Sequence, residues 1–335
     1  MVVLTLVSVA HPNMTRALEL AALSPFGENP RVGCVITDAS GVIVGEGFHH
    51  GAGHPHAEVE ALKVAGARAR GGSAYVTLEP CAHTGRTGPC TSALIEAGVA
   101  RVIYGQSDPN PIAQGGAQVL RDAGLEVLPE VLADRAHALN REWSFAVAHG
   151  RPFVTLKLAA SLDGRVANAD GSPRQLTGAV AAADVHELRS RVGAIMIGAG
   201  TAIADNPRLT ARTADGALAS RQPIRVVMAA RTLPQDLAVF EADAPTLIIT
   251  DQNPHAALAR LYAEGVRHVL LEGGPTLAGS FLEEGLVDEV WWYCAPITLG
   301  SGPFALAGVE MEFEIEHVHT MGEDLKLVAR VRSRR

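Results

Sequence analysis

The chain has 335 residues, 47% of them apolar and 19% charged, with a formal net charge of -8. That length is more than one compact core usually holds, and the composition excludes a disordered or collagen-like chain. The acidic balance, with no long basic run, argues against a nucleic-acid substrate, and no apolar run reaches membrane-spanning length.

Taken in order, the chain opens on an apolar stretch, Met1–Asn13, that reads as an extra N-terminal tail or the product of an upstream start. It lacks the charged n-region of a signal peptide. Met14 opens an amphipathic stretch, MTRALELAAL. VGCVIT and GVIVGEG then read as two strands joined by a turn near Ser40-Gly41, and HAEVEALKVAGARARG as a helix ended by Gly71-Gly72. AYVTLE, VARVIYG and LEVLPEV read as strands, with helices at TSALIEAG and GGAQVLRDAG between them. A helical pattern, LADRAHALNREWSFAVAHG, closes this half.

At Gly150-Arg151-Pro152 the pattern restarts, so two domains are expected, 1–150 and 151–335. FVTLKLAA, AIMIGAG, PIRVVMAA, TLIIT and RHVLLEGG read as strands and AVAAADVHELRSRVG as a helix. EVWWYCAPI and the tail from Phe313 add late β-structure. Trp291 and Trp292 alternate in a strand and so face opposite sides. The whole is an α/β chain of layered sheets with helices on their faces.

The chemistry concentrates at two places in the first half. HPHAEVEAL carries His56 and Glu58 at an H-x-E spacing at the start of a helix. LEPCAHTGRTGPC carries Cys81 after a strand and Cys90 before a helix. Alone, each piece has a plainer reading: HAE is a common tripeptide and loop cysteines are often buried thiols. Together they supply one imidazole and two thiolates, a set that suits zinc and leaves a fourth position for water. Bound zinc acidifies that water, and Glu58, beside a ligand but not one, can move protons. H-x-E followed by P-C-x-x-C marks zinc nucleobase deaminases. Here eight residues separate the cysteines, too many for the usual clip. Four cysteines in all (34, 81, 90, 294) make no disulfide framework and fit a reducing, cytoplasmic setting. Cys34 lies in an apolar strand and reads as core.

The stretched loop resembles that of the bifunctional riboflavin-biosynthesis deaminase–reductase family. The matching pieces are His56-Ala57-Glu58, Thr77-Leu78-Glu79-Pro80-Cys81, Gly85-Arg86-Thr87 and Pro89-Cys90, with NPRVGCVI (29–36), GEGFH (45–49) and DPNP (108–111). LKLAASLDGRVA (156–167), GAGTAIADNPRLTAR (198–212) and LEGGPTLAGSFLEEGLVDE (271–289) resemble its reductase half, so the likeness runs from about Met14 to the last strands.

The resemblance implies a cytidine-deaminase-like domain followed by a dihydrofolate-reductase-like one. It implies zinc on His56, Cys81 and Cys90, with Glu58 as general acid and base, and a pyrimidine ribotide near Asn29, His49, His83, Arg86 and Asn110. In the second half it implies substrate positions at Lys157, Arg189, Asp205, Leu209, Arg212 and Glu272. NADPH positions are implied at Ala159, Thr201, Asp205, Gly274, Pro275, Thr276 and Leu277. No G-x-G-x-x-G follows a strand, so a Rossmann site is not expected.

The implied activity is deamination of 2,5-diamino-6-ribosylamino-4(3H)-pyrimidinone 5′-phosphate, then NADPH reduction of its ribosyl group to ribityl phosphate. The expected partners are that small molecule and further copies of the chain, with neither nucleic acid nor membrane. One stretch departs from the family: Gln175 stands where Trp is expected and Pro173 where Ser is expected. That departure keeps open a deaminase with an inactive reductase-like domain. The other rivals are a zinc nucleoside deaminase and a non-catalytic protein whose zinc takes His54 or His83 as a fourth ligand.

Overall fold

The computed structural model describes residues 11–83, 88–306 and 308–332. The chain divides into two compact units, Met1–Ala148 and His149–Arg335. Among the described residues no helix is long and apolar enough to cross a membrane.

The first unit contains α1 (Pro12–Ala21), β1 (Gly33–Thr37), β2 (Ile43–Phe48), α2 (Ala57–Ala65), β3 (Ser73–Val76) and α3 (Cys90–Ala97). β4 (Arg101–Tyr104), α4 (Gly116–Asp122), β5 (Glu126–Leu128), α5 (Ala133–Leu139) and α6 (Arg141–His149) complete it. Its sheet runs β2-β1-β3-β4-β5, with β1 antiparallel to both neighbours and β3, β4 and β5 parallel. Ala57, Ala61, Leu94 and Leu120 cover one face, and Met14, Ala17, Leu18 and Ala136 the other. That is the three-layer arrangement the alternating pattern implied.

α1 begins at Pro12, inside the stretch read as a tail; residues 1–10 lie outside the described residues. α2 is shorter than the sequence suggested, because Gly66 takes a positive φ of 55° and a 3-10 turn follows. The helical pattern after Val131 is broken at Asn140, whose buried amide accepts from Arg31 N (2.8 Å) and donates to Arg31 O (3.0 Å).

Two glycines fix where α2 lies. A Cβ on Gly45 would sit 2.2 Å from Ala61 O, and one on Gly47 2.6 Å from Ala57 O. The bare backbone of β2 therefore lets α2 lie against it, and α2 is what carries the H-x-E pair.

The second unit opens with β6 (Phe153–Ser161), α7 (Ala179–Arg191), β7 (Ala194–Gly198), α8 (Ala199–Asp205), β8 (Ile224–Met228) and β9 (Thr246–Ile249). α9 (Pro254–Ala263), β10 (His268–Leu271), α10 (Pro275–Glu283), β11 (Glu289–Ala295), β12 (Phe313–Met321) and β13 (Asp324–Val331) follow. The sheet order is β12-β13-β11-β6-β10-β7-β8-β9. The run from β11 to β9 is parallel, and an antiparallel pair closes the other edge. Leu258, Phe281 and Leu282 pack on Val154, Leu156 and Val269 on one face, while Leu188 and Ala202 pack on Ile195, Val227 and Leu270 on the other. Strands covered on both faces read as unbroken apolar runs, as AIMIG does. Trp292 packs into the first of these clusters and Trp291 into the second, so both serve as packing.

Gly47→Ala tests the seating of α2. Overpacking there should cost about 1–3 kcal/mol and lower the zinc content of purified protein. An unchanged urea midpoint and an unchanged metal content would contradict it.

Candidate active sites

The first site forms where α2 and α3 begin. His56 precedes α2, and Cys90 is the first residue of α3. Cys81 lies on the loop after β3. The ligand atoms of His56, Cys81 and Cys90 lie within 4.8 Å of one another. His56 Nδ1 is 3.1 Å from Cys90 Sγ and 3.6 Å from Cys81 Sγ. Ligands around a tetrahedral zinc stand ~3.5–3.8 Å apart, given bonds near 2.0–2.3 Å. The donor set and its spacing therefore fit zinc. Neither His54 nor His83 joins the cluster among the described residues, so the fourth protein ligand of a closed structural site is not found there.

The Cys90 thiol bonds Cys81, and the Cys90 backbone N–H at the start of α3 donates to Cys81 Sγ at 3.4 Å. These bonds, the Cys90 thiol's first and His56's with it, pull the Cys81 thiol below its ordinary value. Glu58 sits in the first turn of α2 and is 4% exposed. Burial pushes its carboxyl up from the usual range, which suits a group that must both take and give a proton.

Around this centre the sequence-derived positions fall into place unequally. His49 Nδ1 is 3.1 Å from Pro55 O, which can only accept, so Nδ1 carries the proton. His49 Nε2 is then bare and accepts from Asn29 Nδ2 at 2.8 Å. Asn29 is left presenting its Oδ1. Burial pushes the His49 ring down, which keeps it neutral. Asn110 uses its Oδ1 to accept from Ile112 N at 3.1 Å, closing a turn. His83 keeps a buried, unpartnered Nδ1. Arg86 lies outside the described residues.

Sequence reasoning missed two acids here. Buried Glu79 accepts from Asp108 N (3.2 Å) and Ala117 N (2.8 Å) and so pins the DPNP loop to the cysteine loop. Burial pushes Asp108 itself up to about 6. A charged residue beside Pro80-Cys81 in an apolar strand was the available signal for Glu79.

The second site is a cavity of about 1010 Å³ at the carboxyl ends of the parallel strands. Lys157 and Ala159 from β6, Thr201 and Asp205 from α8, Leu209, Glu272 and Gly274–Leu277 all line it. The cavity and its wall fit a dinucleotide such as NADPH. A Cβ on Gly273 would meet Leu277 at 2.9 Å, so the backbone opening α10 is kept bare, and helix N-termini favour phosphate. Thr201 Oγ1 accepts from Gly274 N at 3.0 Å and fixes that turn.

Arg189 and Arg212 are not among the residues lining the cavity. Arg189 makes a two-pronged pair with Glu272, at 2.7 Å on each oxygen. Burial alone would raise Glu272, but Arg189 pulls it below the usual range. Arg212 Nη1 donates to Gly216 O at 2.7 Å. Burial lowers the Lys157 ammonium, with Glu272 opposing. His186 was missed: it neighbours Arg189, Glu272 and Arg212, with its Nδ1 buried and unpartnered. Its spacing of three from Arg189 on α7 puts both on one helix face, which was the usable signal.

Leu209 sits at a positive φ of 50°, which costs a branched residue about 1–2 kcal/mol. Asn206 holds the strained segment, accepting from Ala238 N at 2.7 Å through its Oδ1. The departing stretch, Pro173 to Thr177, lies on the cavity wall, and Gln175 Nε2 donates to Thr177 O at 2.9 Å.

A three-ligand zinc centre with a buried glutamate, followed by a nucleotide-sized cavity on a parallel sheet, defines a deaminase joined to a reductase. Residues 8–106 match the cytidine and deoxycytidylate deaminase zinc-binding region, and residues 152–327 match the RibD C-terminal domain. The riboflavin biosynthesis protein RibD of Mycobacterium tuberculosis is 45% identical over 90% of this chain and 91% of its own. That of Escherichia coli is 40% identical over 94% and 97%. The solved Acinetobacter baumannii RibD has a TM-score of 0.85 at 37% identity, covering 96% of this chain and 98% of that one. A Thermotoga maritima diaminohydroxyphosphoribosylaminopyrimidine deaminase/5-amino-6-(5-phosphoribosylamino)uracil reductase has a TM-score of 0.84 at 32% identity, over 96% and 98%.

The chain belongs to the RibD family of riboflavin biosynthesis proteins. It is a bifunctional enzyme with a cytidine-deaminase-like domain that takes zinc and a dihydrofolate-reductase-like domain that takes NADPH.

Glu58→Gln keeps the shape of the side chain and removes the proton carrier. Ammonia release should fall about 10²–10⁴-fold while zinc content stays unchanged. A rate within a few-fold of the parent, or loss of the metal, would contradict the assignment.

Proposed function

We propose that residues 1–150 remove the amino group of 2,5-diamino-6-ribosylamino-4(3H)-pyrimidinone 5′-phosphate. Residues 151–335 then reduce the ribosyl group of the product to a ribityl phosphate. The observation that carries this reading is the pairing of two sites in one chain, a His-Cys-Cys centre beside Glu58 and a cavity walled by Lys157, Glu272 and Gly274.

In the first step His56, Cys81 and Cys90 hold zinc, whose chemistry when bound is to acidify water at neutral pH. Glu58 would carry one proton of the attacking water to the amino group, which leaves as ammonia, while the water's other proton goes to the ring nitrogen and the ring carbon ends as a carbonyl. Asn29 presents Oδ1 to the pyrimidine, held by His49. His83 and Asn110 are assigned to the same substrate, and Arg86, which lies outside the described residues, is assigned to its 5′-phosphate because a guanidinium suits that group.

In the second step NADPH, when bound, would supply the hydride chemistry needed at C1′ of the ribose. Thr201, Asp205, Ala159 and Gly274–Leu277 hold the cofactor. Lys157, Leu209 and Glu272 face the substrate from the cavity wall. Arg189 acts through Glu272, whose carboxylate it orients. Arg212 is assigned to the same substrate, and its charge is felt by His186. Four free cysteines support a reducing, cytoplasmic setting. Assembly into a homo-oligomer belongs to the same proposal by kinship with the family.

The test is mass spectrometry of products from the diaminopyrimidinone ribotide with zinc-loaded protein and NADPH. The expected product has exchanged NH for O and gained two hydrogens. Exchange without added hydrogens would overturn the second step, and an unchanged substrate would overturn the substrate assignment.

A further inference from the structure

We propose that Asn140, at the joint of α5 and α6, and Trp143, in the first turn of α6, are positioning residues for Asn29. They act in the deamination without touching the substrate. The inference rests on the reading that Asn29 faces the pyrimidine.

A side chain on an irregular segment is only as well placed as the backbone beneath it. Residues 22–32, between α1 and β1, form neither helix nor strand. Asn29 lies in this run, and its Nδ2 meets His49 Nε2 at 2.8 Å. The His49 ring stands edge-on to that of His56, with the centres 5.5 Å apart. Asn29 thus reaches the metal centre from a segment that has no helix or ladder of its own to steady it. A displacement of about 1 Å in such a group can cost a reaction ~100-fold, so the backbone on each side of Asn29 needs an outside anchor.

Two side chains supply those anchors, and they bracket Asn29. Before it, Trp143 Nε1 donates to Glu28 O at 3.0 Å. After it, Asn140 Oδ1 accepts from Arg31 N at 2.8 Å, and Asn140 Nδ2 donates to Arg31 O at 3.0 Å. The two anchors come from 115 and 109 positions further along the chain. Asn140 is 2% exposed, so water cannot readily replace its bonds. The Trp143 ring packs on the core cluster of Val32, Leu94 and Leu120, which fixes the direction of its N–H. The fold has other means of holding this run. Arg31 Nε donates to Ser24 O at 3.1 Å, and its guanidinium lies 4.3 Å from the centre of the Phe26 ring. What Asn140 and Trp143 add is a fixed backbone on either side of one residue. The same run seats the partner of Asn29, because Val32 O accepts from His49 N at 2.9 Å.

The experiment is a double-mutant cycle on the full zinc-loaded chain, read as ammonia release from the diaminopyrimidinone ribotide. Trp143→Phe removes the indole N–H and keeps an aromatic ring in the core, so it tests the anchor even where Asn140→Ala fails to fold. It should lower kcat/KM about 3–10-fold, the net worth of one hydrogen bond, with zinc content unchanged. Asn140→Ala, which frees two backbone groups, should lower it further. In an Asn29→Ala background Trp143→Phe should cost less than about twofold, because the anchor then has nothing to position. An equal loss in both backgrounds, or a loss that tracks loss of zinc, would overturn the proposal by showing that Trp143 serves the domain as a whole. An unchanged rate in Trp143→Phe, with Asn29→Ala impaired, would overturn the positioning role alone. Asn29→Ala as active as the parent would overturn the substrate role of Asn29 and the proposal with it. A parent that releases no ammonia from the ribotide would overturn the substrate assigned to the first unit, and with it the proposal.

Discussion

The convergence of His56, Cys81 and Cys90 is the constraint on which the first unit depends. Three side chains from two helix starts and a loop must meet within 4.8 Å. Each helix is placed by a separate device. α2 lies against β2 because Gly45 and Gly47 leave no Cβ in its path. α3 begins at Cys90, whose own backbone N–H steadies the Cys81 sulfur. Glu79, bonded to Asp108 N and Ala117 N, ties the following loop to the same point. Glu58 inherits its position from α2, and burial tunes it for proton transfer. The metal chemistry and the acid–base chemistry thus rest on one helix-on-strand contact.

The second unit solves a different problem. Hydride transfer needs a cofactor held in line with a substrate, and a parallel sheet offers a row of strand ends for that purpose. The buried charges at one end are matched: Glu272 is paired in two places with Arg189, and Lys157 sits within the influence of that carboxylate. Breaking such a pair leaves an uncompensated buried charge at a cost of about 3–5 kcal/mol. The strained backbone at Leu209 persists because Asn206 fastens its segment to Ala238.

Much of this was legible in the sequence because it is local. Strand and helix periods are local, and so is the H-x-E pair. The long cysteine gap looked anomalous only as spacing; in space the loop returns Cys90 beside Cys81. What escaped notice depends on distant partners. The helix from Leu132 onward read as one because nothing local announces that Asn140 bonds Arg31, 109 positions away. α8 and α9 were hidden by small residues and a short amphipathic pattern. Arg189 was assigned to the substrate by resemblance, and nothing local announces its bond to Glu272, 83 positions away. His186 carried a usable signal in its spacing from Arg189, but an isolated helical histidine says little by itself.

X-ray absorption at the zinc edge of purified protein is the most direct test of the central claim, a centre with three protein ligands and a fourth position for water. The account predicts two sulfur scatterers near ~2.3 Å, one imidazole nitrogen and one further light atom near ~2.0–2.1 Å, a shell unchanged in Glu58→Gln. A second imidazole or a third sulfur would show a site closed by protein ligands, and would contradict a catalytic centre built on His56, Cys81 and Cys90.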